Sequence, residues 1–362
     1  MKEKYRIGHI GFAHVHIVDN TEPFLGEADR VQWIGAADLP SMTGDMENME
    51  TAMRGYNKKW LRDRNALPNL FDDYHKLLEE CPDIVLINTE NNMHKQVICD
   101  ALDAGVTVVV EKPLAINAVE TVEILNKVSE CKGKLIVNWP STWSASIRTA
   151  YRLMKEGAIG KPFKFTFRNA CSPGPLSYGQ NLSDKQKERE WWYHAGEGGG
   201  AMLDYCCYGC NLSRWFLGKR ALSAFGMKEN FNTPYGDADD YGIITAKYPE
   251  AVAILEGSWT TVHTGVDAGP VIFGTEGTLV TSWSITGGKT KLYTNMCNDE
   301  PGEIMELDSL PEGRENLARE VIHYLDTEEP LHPTLDVPVN LDAMLLLDAG
   351  IRSVKSKKVE DI

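Results

Sequence analysis

The stretch Val108-Val109-Val110-Glu111-Lys112-Pro113-Leu114 decides the fold of this chain. It ends a β-branched run from Val106 to Val110 that is typical of a strand buried on both faces of a parallel sheet. Because proline cannot continue a central strand, we expect the strand to end before Pro113. Glu111 and Lys112 then lie at the carboxyl end of a buried strand, where open α/β sheets bind ligands. On these residues alone, a solvated lysine at a strand end is the alternative.

The overall composition bounds the kind of protein. A chain of 362 residues is long for one core, so we expect two domains, residues 1–137 and 138–362. A formal net charge of −15 argues against a nucleic-acid surface or an anionic membrane as the partner. The chain starts without an apolar signal region and has no apolar run of membrane-spanning length, which predicts a cytoplasmic protein.

The cysteines indicate neither a disulfide scaffold nor a metal site. Eight cysteines in a chain of this length are too few for a disulfide framework. Cys207 and Cys210 have the CxxC spacing, but no second cysteine or histidine pair lies nearby at zinc-site spacing. We therefore expect these cysteines to pack on a helix and expect no bound metal.

Strand and helix patterns change character along the chain. The first part alternates predicted strands at 5–10, 31–37, 84–87, 106–110 and 135–137 with predicted helices at 72–80, 92–104 and 118–128. This alternation predicts a Rossmann-type, doubly wound parallel sheet. Past about residue 160, strands at 163–168, 241–247, 251–259 and 271–273 surround one helix at 201–216. This half is predicted to be an α+β domain with a large, mostly antiparallel open sheet, and a helix at 341–354 should pack back on the body.

The turn after the first strand is a modified dinucleotide fingerprint. Gly11-Phe12-Ala13-His14-Val15-His16 has Gly, Ala and His at the three positions of G-x-G-x-x-G. Alanine at the second position still lets the backbone approach a pyrophosphate, whereas histidine at the third is a clear departure. Asp38 ends the next strand and can accept hydrogen bonds from both ribose hydroxyls of an adenosine. It would also repel a 2′-phosphate, which favours NAD over NADP, although Asp38 could simply be a turn residue.

Further polar residues follow other strands. His14 and His16 could contact cofactor or substrate, or could cap and pack the helix. Because residues two apart do not share a helix face, a metal site formed by both is not expected. Thr89, Asn91 and His94 follow a buried strand and should border the nicotinamide half of a cofactor. For His94, a first-turn helix residue that bonds the backbone is an equal alternative.

In their order along the chain, these motifs resemble the Gfo/Idh/MocA family of sugar and cyclitol oxidoreductases. The resemblance covers nearly the whole chain, which makes it more specific than any single motif. The motifs are Arg6-Ile7-Gly8 leading into Gly11, Asp38, Asn92 with His94 before Ala101-Leu102-Asp103-Ala104-Gly105, Glu111-Lys112-Pro113-Leu114-Ala115, Lys155-Glu156-Gly157-Ala158-Ile159-Gly160-Lys161, Gly198-Gly199-Gly200-Ala201-Met202-Leu203-Asp204 and Gly274-Thr275-Glu276-Gly277-Thr278.

The resemblance implies roles for several residues. It implies an NAD(P)-binding domain followed by a sheet that builds the substrate wall and often an oligomer interface, so a homo-oligomer is expected. Lys112 should contact both substrate and nicotinamide, with Glu111 beside it, and the Lys112-Pro113 bond is expected to be cis. The family's aspartate after the glycine run corresponds to Asp204. Four residues later many members carry a histidine, where this chain has Tyr208.

The substrate side also departs from the family. Relatives commonly place an arginine where this chain has Asn138-Trp139-Pro140-Ser141-Thr142-Trp143, so we expect Asn138 and Trp143 to face an apolar sugar face or aglycone. Trp191, Trp192 and His194 precede the glycine run and offer flat surfaces suited to a sugar. Ordinary core or interface packing is the alternative for these aromatic residues.

The sequence therefore predicts an NAD-dependent dehydrogenase for a secondary hydroxyl of a sugar, glycoside or cyclitol. Tyr208 is the first candidate for the base and Lys112 the second, with Asp204 orienting them. Since free lysine and tyrosine titrate near pH 10, the pKa of either must fall by roughly two units or more to act at neutral pH. Two alternatives stay open: an enzyme that oxidises a glycoside carbon on the way to elimination or deglycosylation, and a non-catalytic sugar- or NAD-sensing regulator.

Overall fold

The chain folds around two β-sheets. The computed structural model describes residues 2–40, 46, 49–171, 174, 175, 181–265, 268–283, 288–295 and 301–362. Among these residues, no helix combines the length and the apolar character needed to cross a bilayer.

The first sheet has six parallel strands in the order β3-β2-β1-β4-β5-β6. The strands are β1 (Tyr5–Ile10), β2 (Val31–Ala37), β3 (Leu70–Phe71), β4 (Ile84–Ile87), β5 (Thr107–Glu111) and β6 (Leu135–Asn138). All five residues of β5 are buried, as its β-branched run predicts. The strand order reverses between β1 and β4, and this reversal opens a crevice at the carboxyl ends of the strands. The predicted Rossmann-type sheet is confirmed.

The helices described between these strands are α1 (Ile17–Leu25), α2 (Met53–Asp63), α3 (Tyr74–Glu79), α4 (His94–Asp103) and α5 (Ala118–Cys131). The helix predicted at 92–104 starts two residues later than expected. Residues Asn91–Met93 form a 3₁₀ turn, and α4 begins after it at His94. The Asn92 amide instead donates hydrogen bonds to Gly196 O at 3.3 Å and to Glu197 Oε2 at 3.2 Å. Asn92 thus ties the first half of the chain to the second.

The second sheet has nine strands in the order β14-β13-β12-β11-β7-β10-β9-β8-β15. The strands are β7 (Pro162–Ala170), β8 (Ser223–Glu229), β9 (Tyr241–Lys247), β10 (Val252–Ser258), β11 (Gly269–Gly274), β12 (Thr278–Ser282), β13 (Lys289–Tyr293), β14 (Glu303–Ile304) and β15 (Glu360–Asp361). Among the described strands of this sheet, β7 and β10 pair in parallel and the other neighbours are antiparallel. The expected large, mostly antiparallel open sheet is confirmed.

The helices of the second half are α6 (Ala145–Lys155), α7 (Asp184–Lys187), α8 (Ala201–Leu217), α9 (Leu317–Thr327) and α10 (Val337–Ser356). α8 packs on the sheet through its small residues, because Gly209 leaves no room for a Cβ beside Leu255 and Phe167. α10 packs back on the body, as predicted. α9 was not predicted: its apolar residues Leu317 and Val321 join the core under the first sheet. A helix from the second half therefore covers part of the first sheet.

Candidate active site

A cleft opens where the carboxyl end of β5 meets the first turn of α8. Lys112 comes directly after β5. The peptide bond between Lys112 and Pro113 is cis, as the family resemblance implies. Its Nζ atom donates hydrogen bonds to Asp204 Oδ1 at 2.5 Å and to Asp204 O at 3.2 Å. Trp259 Nε1 donates to the other carboxylate oxygen at 3.2 Å. Two predicted residues that are 92 positions apart in sequence thus form one ion pair.

The charge states around this pair differ from the expectation. Burial disfavours the Lys112 ammonium, but the Asp204 carboxylate outweighs burial and raises the pKa of Lys112 well above its usual value. Burial also raises the pKa of Tyr208 well above its usual value, and the nearby Lys112 cation offsets only part of that shift. Neither pKa is lowered, although the pKa of one of them would have to fall for that residue to act as the base at neutral pH. At neutral pH both groups hold their protons and are hydrogen-bond donors.

Tyr208 lies one helical turn after Asp204, and both residues line the cleft. Its ring lies 4.8 Å from Lys112 Nζ, within the range of a cation–π contact. The centroid of Trp139 lies 5.3 Å from that of Tyr208, and the centroid of Trp283 lies 5.1 Å from it. The aromatic packing holds the phenol against the ion pair.

The cleft has aromatic walls. Trp191 and Trp192 line it, as the sequence predicts. Trp259 and Trp283 also line it, and the sequence analysis did not single them out. Trp259 immediately follows β10 and Trp283 follows β12, so only the order of strands in the second sheet brings them to Lys112.

Three predicted substrate residues do not line this cleft. His194 Nε2 shares a 2.6 Å hydrogen bond with Glu188 O in its own loop. Trp143 Nε1 donates to Asn138 Oδ1 at 3.3 Å, and both residues line a separate cleft beside α9. The reason is the 3₁₀ turn Pro140–Trp143, which leads the chain away from the end of β6.

The turn between β1 and α1 is tightly held. Gly11 has a φ of +86°, and a Cβ at this position would lie 2.5 Å from Thr89 Cγ2, so only glycine fits. The backbone amides of Ala13 and His14 donate to Asn88 O at 3.0 and 3.1 Å. Phe12 is fully buried in the core beside α2. This geometry brings the turn close to the ends of β1 and β4.

Asp38, directly after β2, is already in an ion pair. Its Oδ1 atom accepts hydrogen bonds from the backbone amides of Phe12 and Leu39, at 3.3 and 3.0 Å, and from the Arg54 guanidinium. Arg54 also donates to Glu90 and is buried between the two carboxylates. Burial opposes the Arg54 charge, but these two carboxylates raise its pKa above the usual value. The cation offsets part of the repulsion that Asp38 alone would exert on a 2′-phosphate.

The residues after β4 split into two groups. Asn91 lines the cleft, and its amide donates to Gly198 O at 2.8 Å. Thr89 and His94 are buried beneath the cleft instead. His94 Nδ1 shares a 2.9 Å hydrogen bond with Pro113 O, and burial lowers its pKa to about 4. This matches the alternative in which His94 bonds the backbone.

A dinucleotide fits the described residues at both ends. At one end, all three hydrogen bonds to Asp38 reach Oδ1, so within the described part of the chain Oδ2 stays available to a ribose hydroxyl. At the other end, His14, Asn91 and Lys112 surround space for a nicotinamide in the cleft. Gly11 lies between the two ends, where its missing side chain permits close approach.

His14 and His16 lie in the turn before α1, which starts at Ile17. The argument from helix faces therefore does not apply to them. Their ring centroids lie 4.6 Å apart. One ring nitrogen of each histidine and a carboxylate oxygen of Glu111 lie within 4.8 Å of one another. His14 and His16 both line the cleft, and Glu111 lies directly behind them.

Comparisons with known proteins agree with this architecture. Residues 50–139 match the model described as "Oxidoreductase family, NAD-binding Rossmann fold", and residues 147–280 match the GFO/IDH/MocA C-terminal domain. The first match begins after β2, so the altered turn at Gly11–His16 lies outside it.

Individual relatives are distant. The chain is 26% identical over 212 residues to scyllo-inositol 2-dehydrogenase (NAD(+)) of Bacillus subtilis, which covers 58% of this chain and 57% of that protein. It is 23% identical over 211 residues to D-xylose 1-dehydrogenase [NADP(+)] of Haloarcula marismortui, covering 57% of this chain and 56% of that protein. The chain thus spans less than two thirds of these relatives.

Solved structures match over almost the whole chain. Aldose-aldose oxidoreductase from Caulobacter crescentus superposes with a TM-score of 0.77 at 16% identity, covering 99% of this chain and 100% of that chain. At this identity the likeness concerns the fold alone. Since both family models match, in the expected order and over more than half of the sequence, the chain belongs to the Gfo/Idh/MocA oxidoreductase family.

Proposed function

We propose that this protein is an NAD-dependent dehydrogenase that oxidises a secondary hydroxyl of a sugar, glycoside or cyclitol. The observation that carries the proposal is the Lys112–Asp204 ion pair beside Tyr208 in a cleft walled by Trp191 and Trp192. Polar donors at one end and flat aromatic surfaces around them suit a polyol, which has both hydroxyls and apolar C–H faces. Relatives named as inositol and xylose dehydrogenases support the same reaction class.

The chain's own residues would bind and orient the substrate. When bound, NAD supplies the nicotinamide that accepts a hydride. The Lys112 ammonium can donate a hydrogen bond to the reacting hydroxyl, while Asp204 holds Lys112 in place. The hydroxyl of Tyr208 can donate a second hydrogen bond from the same face of α8. The tryptophans limit the access of water to the reacting carbon.

NAD is the preferred cofactor in this proposal. Asp38 Oδ2 can accept a hydrogen bond from a hydroxyl of the adenosine ribose. A 2′-phosphate on that ribose would prevent this hydrogen bond. The Arg54 cation next to Asp38 reduces the penalty for NADP without supplying a free partner, because both Asp38 and Glu90 already engage it. We therefore expect a preference for NAD by a modest factor.

The test is a panel of sugars, inositols and O- and C-glycosides, each offered with NAD and with NADP while absorbance of the reduced nicotinamide is followed. Reduction of NAD by one group of polyols, absent in a Lys112→Ala variant, would support the proposal. If NAD binds but no polyol reduces it, the dehydrogenase proposal fails. Recovery of a free aglycone without net NADH would then favour oxidation leading to elimination, and no product at all would favour a sensor.

A further inference from the structure

His16 occupies an unusual position for a histidine. It stands at the third glycine position of the fingerprint, directly before α1, and it lines the same cleft as Lys112 and Tyr208. Its Nδ1 atom lies 2.8 Å from Glu111 Oε1, and its side chain remains 19% exposed while that of Glu111 is wholly buried. One edge of the imidazole is therefore held inside the protein, and the ring still reaches the cleft.

The hydrogen bond between them defines the tautomer of His16. Burial alone would raise the pKa of Glu111, but the hydrogen bond with His16 and the Lys112 cation favour the carboxylate, and the pKa lies below its usual value. Glu111 is thus a carboxylate at neutral pH and can only accept. Nδ1 of His16 must then carry the proton, which leaves the lone pair on Nε2.

The buried carboxylate is fixed by further residues. Asn20 Nδ2 donates to Glu111 Oε2 at 3.0 Å, and Asn138 Nδ2 donates to Asn20 Oδ1 at 2.7 Å. Asn138, predicted to touch substrate, thus supports the carboxylate from behind. Hydrogen bonds thus link Asn138, Asn20, Glu111 and His16 in series. Glu111 orients the His16 imidazole in the way that the buried aspartate of a catalytic triad orients its histidine.

His14 has the opposite tautomer. The backbone amide of His16 donates to His14 Nδ1 at 3.1 Å, so Nδ1 of His14 holds the lone pair. Burial lowers the pKa of His14 well below its usual value and keeps its ring neutral. The proton of His14 therefore lies on Nε2, which makes His14 a donor.

The cleft thus contains several donors and needs an acceptor. Lys112, Tyr208 and His14 all carry protons at neutral pH, and Asp204 is engaged by Lys112 and Trp259. We propose that His16 Nε2 accepts the hydroxyl proton of the substrate, with Glu111 as the residue that positions His16. This inference rests on the proposed dehydrogenase function.

The carbinol C–H bond breaks and its electron pair leaves with the hydrogen as hydride to NAD. The O–H proton goes to His16 Nε2, and a C=O bond forms. The resulting imidazolium is stabilised by Glu111 and returns its proton to solvent through its exposed edge. The charged and titratable groups facing His16 are Glu111, His14, Lys112 and Asp19.

A measurement without substrate tests the tautomer directly. Long-range ¹H–¹⁵N NMR spectra of the ¹⁵N-labelled, ligand-free protein, with the His16 signals assigned by their loss in a His16→Gln variant, should show a protonated Nδ1 and an unprotonated Nε2. Protonation on Nε2 at neutral pH would overturn the proposal. So would a stoichiometric divalent metal in the purified protein that is lost in His16→Gln, because Nε2 would then be a ligand.

Kinetics test the role in turnover. His16→Gln should lower kcat by roughly 10²- to 10⁴-fold while the Kd for NAD stays within about threefold, since glutamine cannot take up a proton. Glu111→Gln should lower kcat as well, and NMR spectra of that variant should show the proton divided between the two nitrogens of His16, because a glutamine amide can donate as well as accept. His75→Gln is the matched control: His75 makes the same 2.8 Å bond to Asp73 on the surface.

Turnover of His16→Gln within tenfold of the parent would overturn the inference even if the dehydrogenase activity is established. Partial rescue of a His16→Ala variant by added imidazole would support it. If no substrate is ever oxidised, the proposed function fails, while the NMR result still decides whether His16 Nε2 is an acceptor.

Discussion

At the scale of single residues, the ion pair of Lys112 and Asp204 joins the two halves of the chain. Lys112 is 1% exposed, so its ammonium depends on Asp204 for stabilisation in the interior. Removing one partner of a buried pair commonly costs about 3–5 kcal/mol of stability, because the other charge stays buried. Asp204 keeps a partly exposed side chain, so the smaller cost arises when Lys112 is the residue removed.

We expect Lys112→Ala to lower kcat at least about 10²-fold, because the substrate hydroxyl loses its charged donor. The Kd for NAD should change little, since the dinucleotide's adenosine end is bound elsewhere. Steady-state kinetics and equilibrium dinucleotide binding measure the two effects. Lys95→Ala, which breaks an exposed 2.8 Å pair with Glu123, is the control. Near-normal turnover of Lys112→Ala would rule out the assigned role.

Asp38 is expected to determine the preference for NAD over NADP. Asp38→Ala removes the acceptor for the ribose and one of the carboxylates that pair with Arg54, while Glu90 stays in place. NAD should then bind about tenfold more weakly, a loss of about 1.4 kcal/mol, while NADP binding should hold or improve. Titration with both dinucleotides would show this change in preference, and Asp63→Ala on the exposed end of α2 serves as the control. An unchanged ratio of the two affinities would contradict the assignment of Asp38.

At the scale of elements, the sequence located strands better than helix ends. The predicted bounds of β1, β2, β4 and β9 match the structure residue for residue. The alternation or density of β-branched residues identifies such strands locally. By contrast, the start of α4 depends on Asn92 bonding a loop 104 residues away instead of capping its helix, which no local pattern encodes.

The contact between α10 and β8 should be sensitive to a single methyl group. A Cβ at Gly226 would lie 2.2 Å from Gly350 O, a backbone atom that cannot move without shifting the helix. Gly226→Ala should therefore lower the free energy of unfolding by about 2 kcal/mol or more. Gly196→Ala, where no atom lies within 4 Å of the added Cβ, should change it by less than about 0.5 kcal/mol. Urea unfolding of both variants checks this, and equal stabilities would contradict the packing.

At the scale of the whole molecule, a buried carboxyl between the two halves makes stability depend on pH. Glu190 contacts the start of α2, and burial raises its pKa to about 7. A carboxyl whose pKa is higher in the folded state stabilises the fold below its ordinary value of 4.5, and this contribution is lost as the pH rises past about 7.

Glu190→Gln should therefore match the parent's stability near pH 4 and exceed it above pH 7, by roughly 3 kcal/mol at most. Urea unfolding at the two pH values measures the difference. Glu303→Gln, on the exposed edge strand β14, should show no such dependence. A constant difference between Glu190→Gln and the parent at both pH values would contradict the buried carboxyl.

Exposed apolar side chains on the outer face of the second sheet are consistent with the expectation of a homo-oligomer. Phe225 and Ile254 flank Thr245 across β8, β9 and β10, and Met227 and Val252 on the same face are exposed. We expect light scattering to report a multiple of the chain mass and Ile254→Glu to yield monomers. A monomeric parent protein at micromolar concentration would contradict this expectation.

The sequence by itself determined the fold class, the family and the pairing of Lys112 with a carboxylate after the glycine run. These features depend on local patterns and on motifs whose order along the chain is informative. Only the tertiary structure decided the protonation states and the makeup of the cleft. Burial raises the pKa of Tyr208, because the packing of both sheets encloses its side chain. The order of strands brings Trp259 and Trp283 to Lys112, and contacts between distant segments place Asn138 behind Glu111 and His16 against it.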